Sequence, residues 1–211
     1  MGTKLCWSVL AVLYVAFVSW YTSCGGPLSQ AEIETYMARV EANSRGGDPE
    51  RVDIIRAFLE SDTGDDFVMV NVIDFHETPL QVEGVAPGES SEEVMGKYME
   101  YMLPALLARA SHPIFMGWAA ADAPEMFGIE GAREWHQGAG MRYRSRRDLM
   151  EIATNPEFQG SHEFKVAAID KTIAFPVDPW FQLGDPRLLL ALVFLIIGLS
   201  VSGRGTRARR A

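Results

Sequence analysis

Two uncharged apolar segments bracket this chain, residues 5–21 near the start and 188–201 near the end, and every acidic residue lies between them. A bilayer core about 30 Å thick needs roughly 20 apolar helical residues, with a lower limit near 17. The first segment meets that limit, and Trp20 and Tyr21 sit where an interfacial aromatic belt anchors a span. The second is shorter and spans when Arg187 snorkels outward and Ser202 and Gly203 are drawn in. Positive charge favours the cytoplasmic side. Arg204, Arg207, Arg209 and Arg210 behind the second segment and Lys4 before the first therefore predict two cytoplasmic termini. In a bacterial inner membrane that leaves residues 25–186 on the extracytoplasmic side. This stretch holds 13 of the basic residues and all 28 acidic ones, a formal charge of −15.

Two other readings of the first segment stay open. Lys4, an apolar run and the small residues Thr22 and Ser23 also follow the order of a cleaved signal peptide. In addition, Thr22-Ser23-Cys24-Gly25 resembles a bacterial lipobox, with Tyr21 where that motif takes an aliphatic residue; Cys24 is then the lipidated residue. Cys6 reads as an ordinary residue of the first helix. No cysteine lies between residues 25 and 186, so no disulfide staples the domain.

The expected organisation is a membrane anchor or signal segment at 1–24, a helical lead-in at 25–65, an α+β domain at 66–178, a transmembrane helix at 179–203 and a basic cytoplasmic tail at 204–211. Ser29 and Glu32 form a capping box ahead of an apolar stripe at Ile33, Tyr36, Met37 and Val40. Asp48-Pro49-Glu50 starts a second helix, with Asp48 as cap, whose inner face is Val52, Ile55, Phe58 and Leu59. Residues 67–75 are β-branched and nearly apolar, as expected of a central strand covered on both faces. Ser90 and Glu93 form another capping box, opening a helix to about Ala110 that Pro104 is expected to kink. Strands follow at 114–121 and 135–143, helices at 149–153 and 157–168, and a last strand at 171–177. The order β, α, β, β, α, β is the ferredoxin-like split arrangement, an antiparallel sheet with its helices on one face. The other face is left bare, and a second copy of the chain is the expected cover.

Residues 68–75, the tract from Tyr98 to Ala108, and Trp135-His136-Gln137 with Met141 to Arg146 and Asn155 to Gln159 resemble the bacterial family called domain of unknown function thirteen-thirty. The resemblance spans about residues 50–177 and implies a dimeric α+β barrel, a homodimer whose clefts between sheet and helices hold small molecules. It implies no activity, because that family has none agreed. The chain departs from the pattern at Gly138-Ala139-Gly140, where relatives carry large aliphatics, and at His136-Gln137, where an acidic pair is usual. Small residues in a strand point to a pocket or to close packing there.

Asn71, Asp74, His76, His136, Arg142 and Tyr143 are the polar residues on or beside strands. His136 and Tyr143 are the candidate catalytic residues, His136 as acid or base near neutral pH and Tyr143, with Arg142, also able to bind an acidic ligand. Asn71, Asp74, His76 and Arg142 are the candidate ligand-binding residues, and Arg142 suits an acidic ligand. Asp74 and His76 share one face of an extended chain, a spacing that can chelate, but two ligands do not make a metal site. No cofactor is expected, and neither a G-x-S-x-G elbow nor a P-loop is present. The cluster Arg142, Arg144, Arg146 and Arg147 suggests nucleic acid, yet a domain at −15 is a poor partner for it. The leading reading is small-molecule binding or assembly at a membrane. The alternative is a monooxygenase- or isomerase-like enzyme acting through His136, Arg142 and Tyr143.

Overall fold

The computed structural model describes residues 2–43 and 49–208; the Asp48 cap and the terminal Arg209 and Arg210 fall outside them. In chain order the elements begin with α1 (Thr3–Tyr21), α2 (Gln30–Asn43), α3 (Pro49–Glu60), β1 (Phe67–Phe75) and α4 (Ser91–Ala108). They continue with β2 (His112–Trp118), β3 (Gln137–Tyr143), α5 (Arg146–Ala153), α6 (Pro156–Ala168), β4 (Ile169–Val177) and α7 (Pro186–Ala208). Two compact units result, Gly25–Asp178 and the paired segments Met1–Cys24 with Pro179–Ala211.

In the paired segments, α1 and α7 are each long and apolar enough to cross a membrane. They run antiparallel. The Trp7 ring fills the notch left by Gly198, so closely that no Cβ fits there, and its indole Nε1 donates to Ser202 Oγ at 3.2 Å. At the opposite end Arg187 lies 5.4 Å from the Tyr21 ring centroid and donates to Thr22 Oγ1 at 3.4 Å. The guanidinium also folds back onto Asp185, at 2.6 Å.

The larger unit is α+β. Its four-stranded sheet has the order β2-β3-β1-β4, antiparallel at every pairing, which is the ferredoxin-like order. Alternation along β1 sets the layers. Phe67, Met69, Ile73 and Phe75 face the helices, packing on Met102, Ala105 and Leu106 of α4, Ile152 of α5 and Ala167 of α6. Val68, Val70, Val72 and Asp74 face the other way. On that side Val70 is paired with Gly140 and Phe175, and Phe115 lies against Gly140. Phe115, Ile173 and Phe175 are exposed there. β1 is thus an inner strand, buried at both ends on either face (Phe67, Ile73 and Phe75 on the helix side, Val68 and Asp74 on the other) and partly covered from Met69 to Val72. β2 begins earlier than expected, and its Pro113 is tolerated because β2 is an edge strand with a register irregularity at Pro113/Phe115.

Both capping boxes form. Ser90 Oγ accepts from the Glu93 amide at 3.2 Å while Ser90 N donates to Glu93 Oε2 at 2.8 Å. Ser29 N donates to Glu32 Oε2 at 2.9 Å and Glu32 N to Ser29 Oγ at 3.4 Å. α4 continues through Pro104 to Ala108 and ends on Ala110, a non-glycine residue with φ 52°. The arginine cluster is paired throughout, and Arg146 and Arg147 tie α5 to the lead-in. Arg142 pairs with Asp66 at 2.7 Å, Arg144 with Asp148 at 2.8 Å, Arg146 with Asp62 at 3.5 Å and Arg147 with Glu32 at 2.8 Å. Arg146 also lies 4.4 Å above the Phe58 ring and donates to the Phe58 carbonyl. The Arg147 hydrogen bond, followed by those from Ser29, holds the Glu32 carboxyl down at about 2. These four charges are engaged within the protein.

Candidate functional site

Side chains on the helix-facing rows of the sheet leave room beneath the helices. The space is a cavity of about 710 Å³, within the usual range for small-molecule sites. Two small residues open it: Ala139 in the middle of β3 and Gly96 on α4, both in its wall. The glycines beside Ala139 have other roles. Gly140 faces the opposite side and is covered by Phe115, whereas a Cβ on Gly138 would meet nothing. Of the pocket and the close packing expected at 138–140, Ala139 supplies the first and Gly140 the second.

The wall is dominated by methionine. Met69, Met95, Met99, Met102, Met116, Met141 and Met150 line it, seven of the chain's ten. Met95, Met99 and Met102 recur at i, i+4 and i+7, so one face of α4 presents all three. Thioether side chains are unbranched and polarizable, and they adapt to apolar partners of varied shape. Phe75, Trp118 and Ile152 are among the other apolar residues of the wall.

Among the polar residues of the wall, one group comes from the helices. Arg51 comes from α3, Tyr98 from α4, and His162 and Lys165 from one face of α6. The Tyr98 ring centroid is 6.4 Å from that of His162 and 5.7 Å from Lys165 Nζ. Burial, then the charges of Lys165 and Arg51, lower the His162 pKa, so the imidazole is mainly neutral at pH 7. Burial and Arg51 likewise lower that of Lys165. Burial pushes Tyr98 up to about 12 and raises Tyr143, to which Tyr98 adds. Both phenols therefore stay protonated at neutral pH and present donors, not bases.

The residues singled out in the sequence divide between the two faces. Asn71 and Tyr143 line the cavity; Asn71 Nδ2 donates to the Met69 carbonyl at 3.0 Å, and Tyr143 stacks on Phe67 at 5.4 Å. Asp74, His76, His136 and Arg142 are not in its wall. Asp74 sits on the other face, in contact with His136 Nδ1 and 3.2 Å from Lys171 Nζ. His76 pairs with Asp170 at 3.2 Å. Arg142 is 1% exposed and is occupied by Asp66 and by the Ala110 carbonyl, at 2.7 Å each. His136, Arg142 and Tyr143 thus do not converge on one space, as the enzyme reading requires. Cys24 is exposed, its thiol 3.7 Å from the Thr22 carbonyl. Sequence reasoning passed over Arg51, Tyr98, His162 and Lys165. The three-residue spacing of His162 and Lys165 was the signal available.

No family model matches the chain, and no curated protein matches it. Its fold is similar to that of RPA0582, a protein of unknown function from Rhodopseudomonas palustris. The methylated form superposes with a TM-score of 0.51 at 16% identity, over 63% of this chain and 93% of that one. A second structure of it gives 0.50 at 14% identity, over 62% and 94%. A dabb family protein with a ferredoxin-like fold from Mesorhizobium loti covers 55% of this chain and 98% of its own at 11% identity, with a TM-score of 0.35 too low to argue from. At these identities the likeness to RPA0582 extends to the fold alone.

Proposed function

We propose that residues 25–178 form a small-molecule binding domain tethered to a membrane by α1 and α7, and that two copies pair through their open sheet faces as a dimeric α+β barrel. The observation that carries the binding role is the methionine-lined cavity, apolar over most of its wall with a smaller number of polar groups. Tethering is supported by the length and apolarity of the two helices and by the fit of Trp7 against Gly198, which suits an α1 retained in the mature chain. The terminal arginines and Lys4 support cytoplasmic termini and an extracytoplasmic domain. Pairing is supported by Val70, Val72, Phe115, Ile173 and Phe175 on the open face. On this reading the chain is a relative of the thirteen-thirty family carrying membrane helices, and its lead-in at 25–65 completes the domain at 66–178.

Filling the cavity tests the binding role. Ala139→Phe places a ring in the space that Ala139 opens, on a strand that favours aromatic residues. In a thermal-shift screen of the full-length chain in lipid nanodiscs, apolar compounds that stabilise the native protein should lose the effect in Ala139→Phe, with affinities down at least about tenfold. A native chain indifferent to the whole screen, or a variant that binds equally well, overturns the reading. Pairing is tested separately by mass. Val70→Lys puts a charge at the centre of the open face, so the native chain should run as a dimer and the variant as a monomer. Equal masses would remove the barrel from the proposal.

A further inference from the structure

The group of Arg51, Tyr98, His162 and Lys165 is basic in sign. Arg51 and Lys165 each lower the protonation of His162, Arg51 lowers that of Lys165, and no acid offsets either shift. Among the described residues neither Arg51 nor Lys165 forms an ion pair or hydrogen bond, although residues 25–178 carry 27 acids and Arg142, Arg144, Arg146 and Arg147 each pair with one. Glu92 is also in the wall, but it precedes Tyr98 by six residues on α4, about 9 Å along the helix. It does not contribute to the balance at Lys165 or His162.

We infer that the cavity takes an amphipathic carboxylic acid, its carboxylate held between Lys165 and Arg51 and its apolar body laid along the methionines of α4 and the sheet. The inference rests on the cavity being a ligand site and names what it selects. The Tyr98 phenol, protonated at neutral pH, is an additional donor for a carboxylate at that position. A half-buried ammonium without a counter-ion is costly, and a bound anion supplies the missing charge. Seven methionines of loose shape suit a flexible alkyl or aryl body better than a rigid polar one. A chain with two helices fit to cross a membrane resides where such acids partition.

The test uses the full-length chain in phosphatidylcholine nanodiscs, with 10-bromodecanoic acid and 10-bromodecanol as probes. Bromine quenches the emission of Trp118 in the cavity wall, and Trp118→Phe supplies the blank for the other tryptophans. The acid should bind more tightly than the alcohol. Lys165→Met keeps the length of the side chain and removes its charge; it should raise the acid's Kd about tenfold or more and leave the alcohol's within about twofold, which also shows that the cavity is intact. Equal binding of acid and alcohol to the native chain, or an acid Kd unmoved by Lys165→Met, overturns the inference while the cavity remains a ligand site. Binding of neither probe overturns both.

Discussion

Arg142→Met is expected to destabilise the larger unit by about 3–5 kcal/mol, the cost of removing one partner from a buried ion pair. The guanidinium, 1% exposed, ties three parts of the chain together. Its Nε donates to Asp66 ahead of β1, and an Nη donates to the carbonyl of Ala110, the residue held at φ 52° where α4 turns into β2. Methionine fills much of the volume but leaves the Asp66 carboxylate, 16% exposed, without its cation and the Ala110 carbonyl without its donor. Lysine should restore little, because one ammonium cannot reproduce a planar fork reaching two acceptors in different directions. Thermal unfolding of the full-length chain, followed by near-ultraviolet circular dichroism, should show a fall of roughly 6–20 °C at about 2–4 °C per kcal/mol for a unit of this size. Ligand affinity of the folded fraction should be unchanged, since Arg142 lies outside the cavity wall. A loss under about 1 kcal/mol would mean that water replaces the fork, and that the buried pair contributes little to the fold.

The contrast between Arg142 and Tyr143 shows which parts of the site were legible. Neighbours on a strand point to opposite faces. Tyr143 therefore joins Ala139 and Met141 on the cavity side, while Arg142 joins Gly138 and Gly140 on the other. Asn71 and Asp74 divide in the same way along β1. This parity is present in the sequence and separates Arg142 from Tyr143. The identity of β1, both capping boxes and the β, α, β, β, α, β order were legible because each depends on residues a few positions apart. The partner of Arg142 was not, since Asp66 lies 76 residues away. Nor was the cavity: Met95, Met99 and Met102 read equally well as ordinary core. Only the register that sets Ala139 beneath α4 shows that this face encloses space.

Gly64→Ala should be the second most damaging single change, at about 2–4 kcal/mol, and for a reason the sequence hid. In the sequence Gly25-Gly26-Pro27 is a break just ahead of the first lead-in helix. In the fold it is a packed crossing: a Cβ on Gly64 would lie 2.5 Å from the Gly26 carbonyl carbon and 2.8 Å from Pro27 N. Both are backbone atoms and cannot swing aside. Gly64 also holds φ at +85°, where an L side chain is strained. The neighbouring Asp62 fixes the same crossing, since its Oδ2 accepts from the Leu28 amide at 2.8 Å and its Oδ1 from the Gly64 amide at 3.1 Å. Gly88→Ala separates the two costs. Gly88 has nearly the same φ, +87°, with open space around it, so alanine there should cost only the conformational part, about 1 kcal/mol. The difference between the two variants in thermal unfolding measures how firmly residues 26–27 are pressed against the turn between α3 and β1. Equal losses would mean that this segment moves aside freely, and that the domain's first ordered contact lies further along, at the Ser29 and Glu32 capping box.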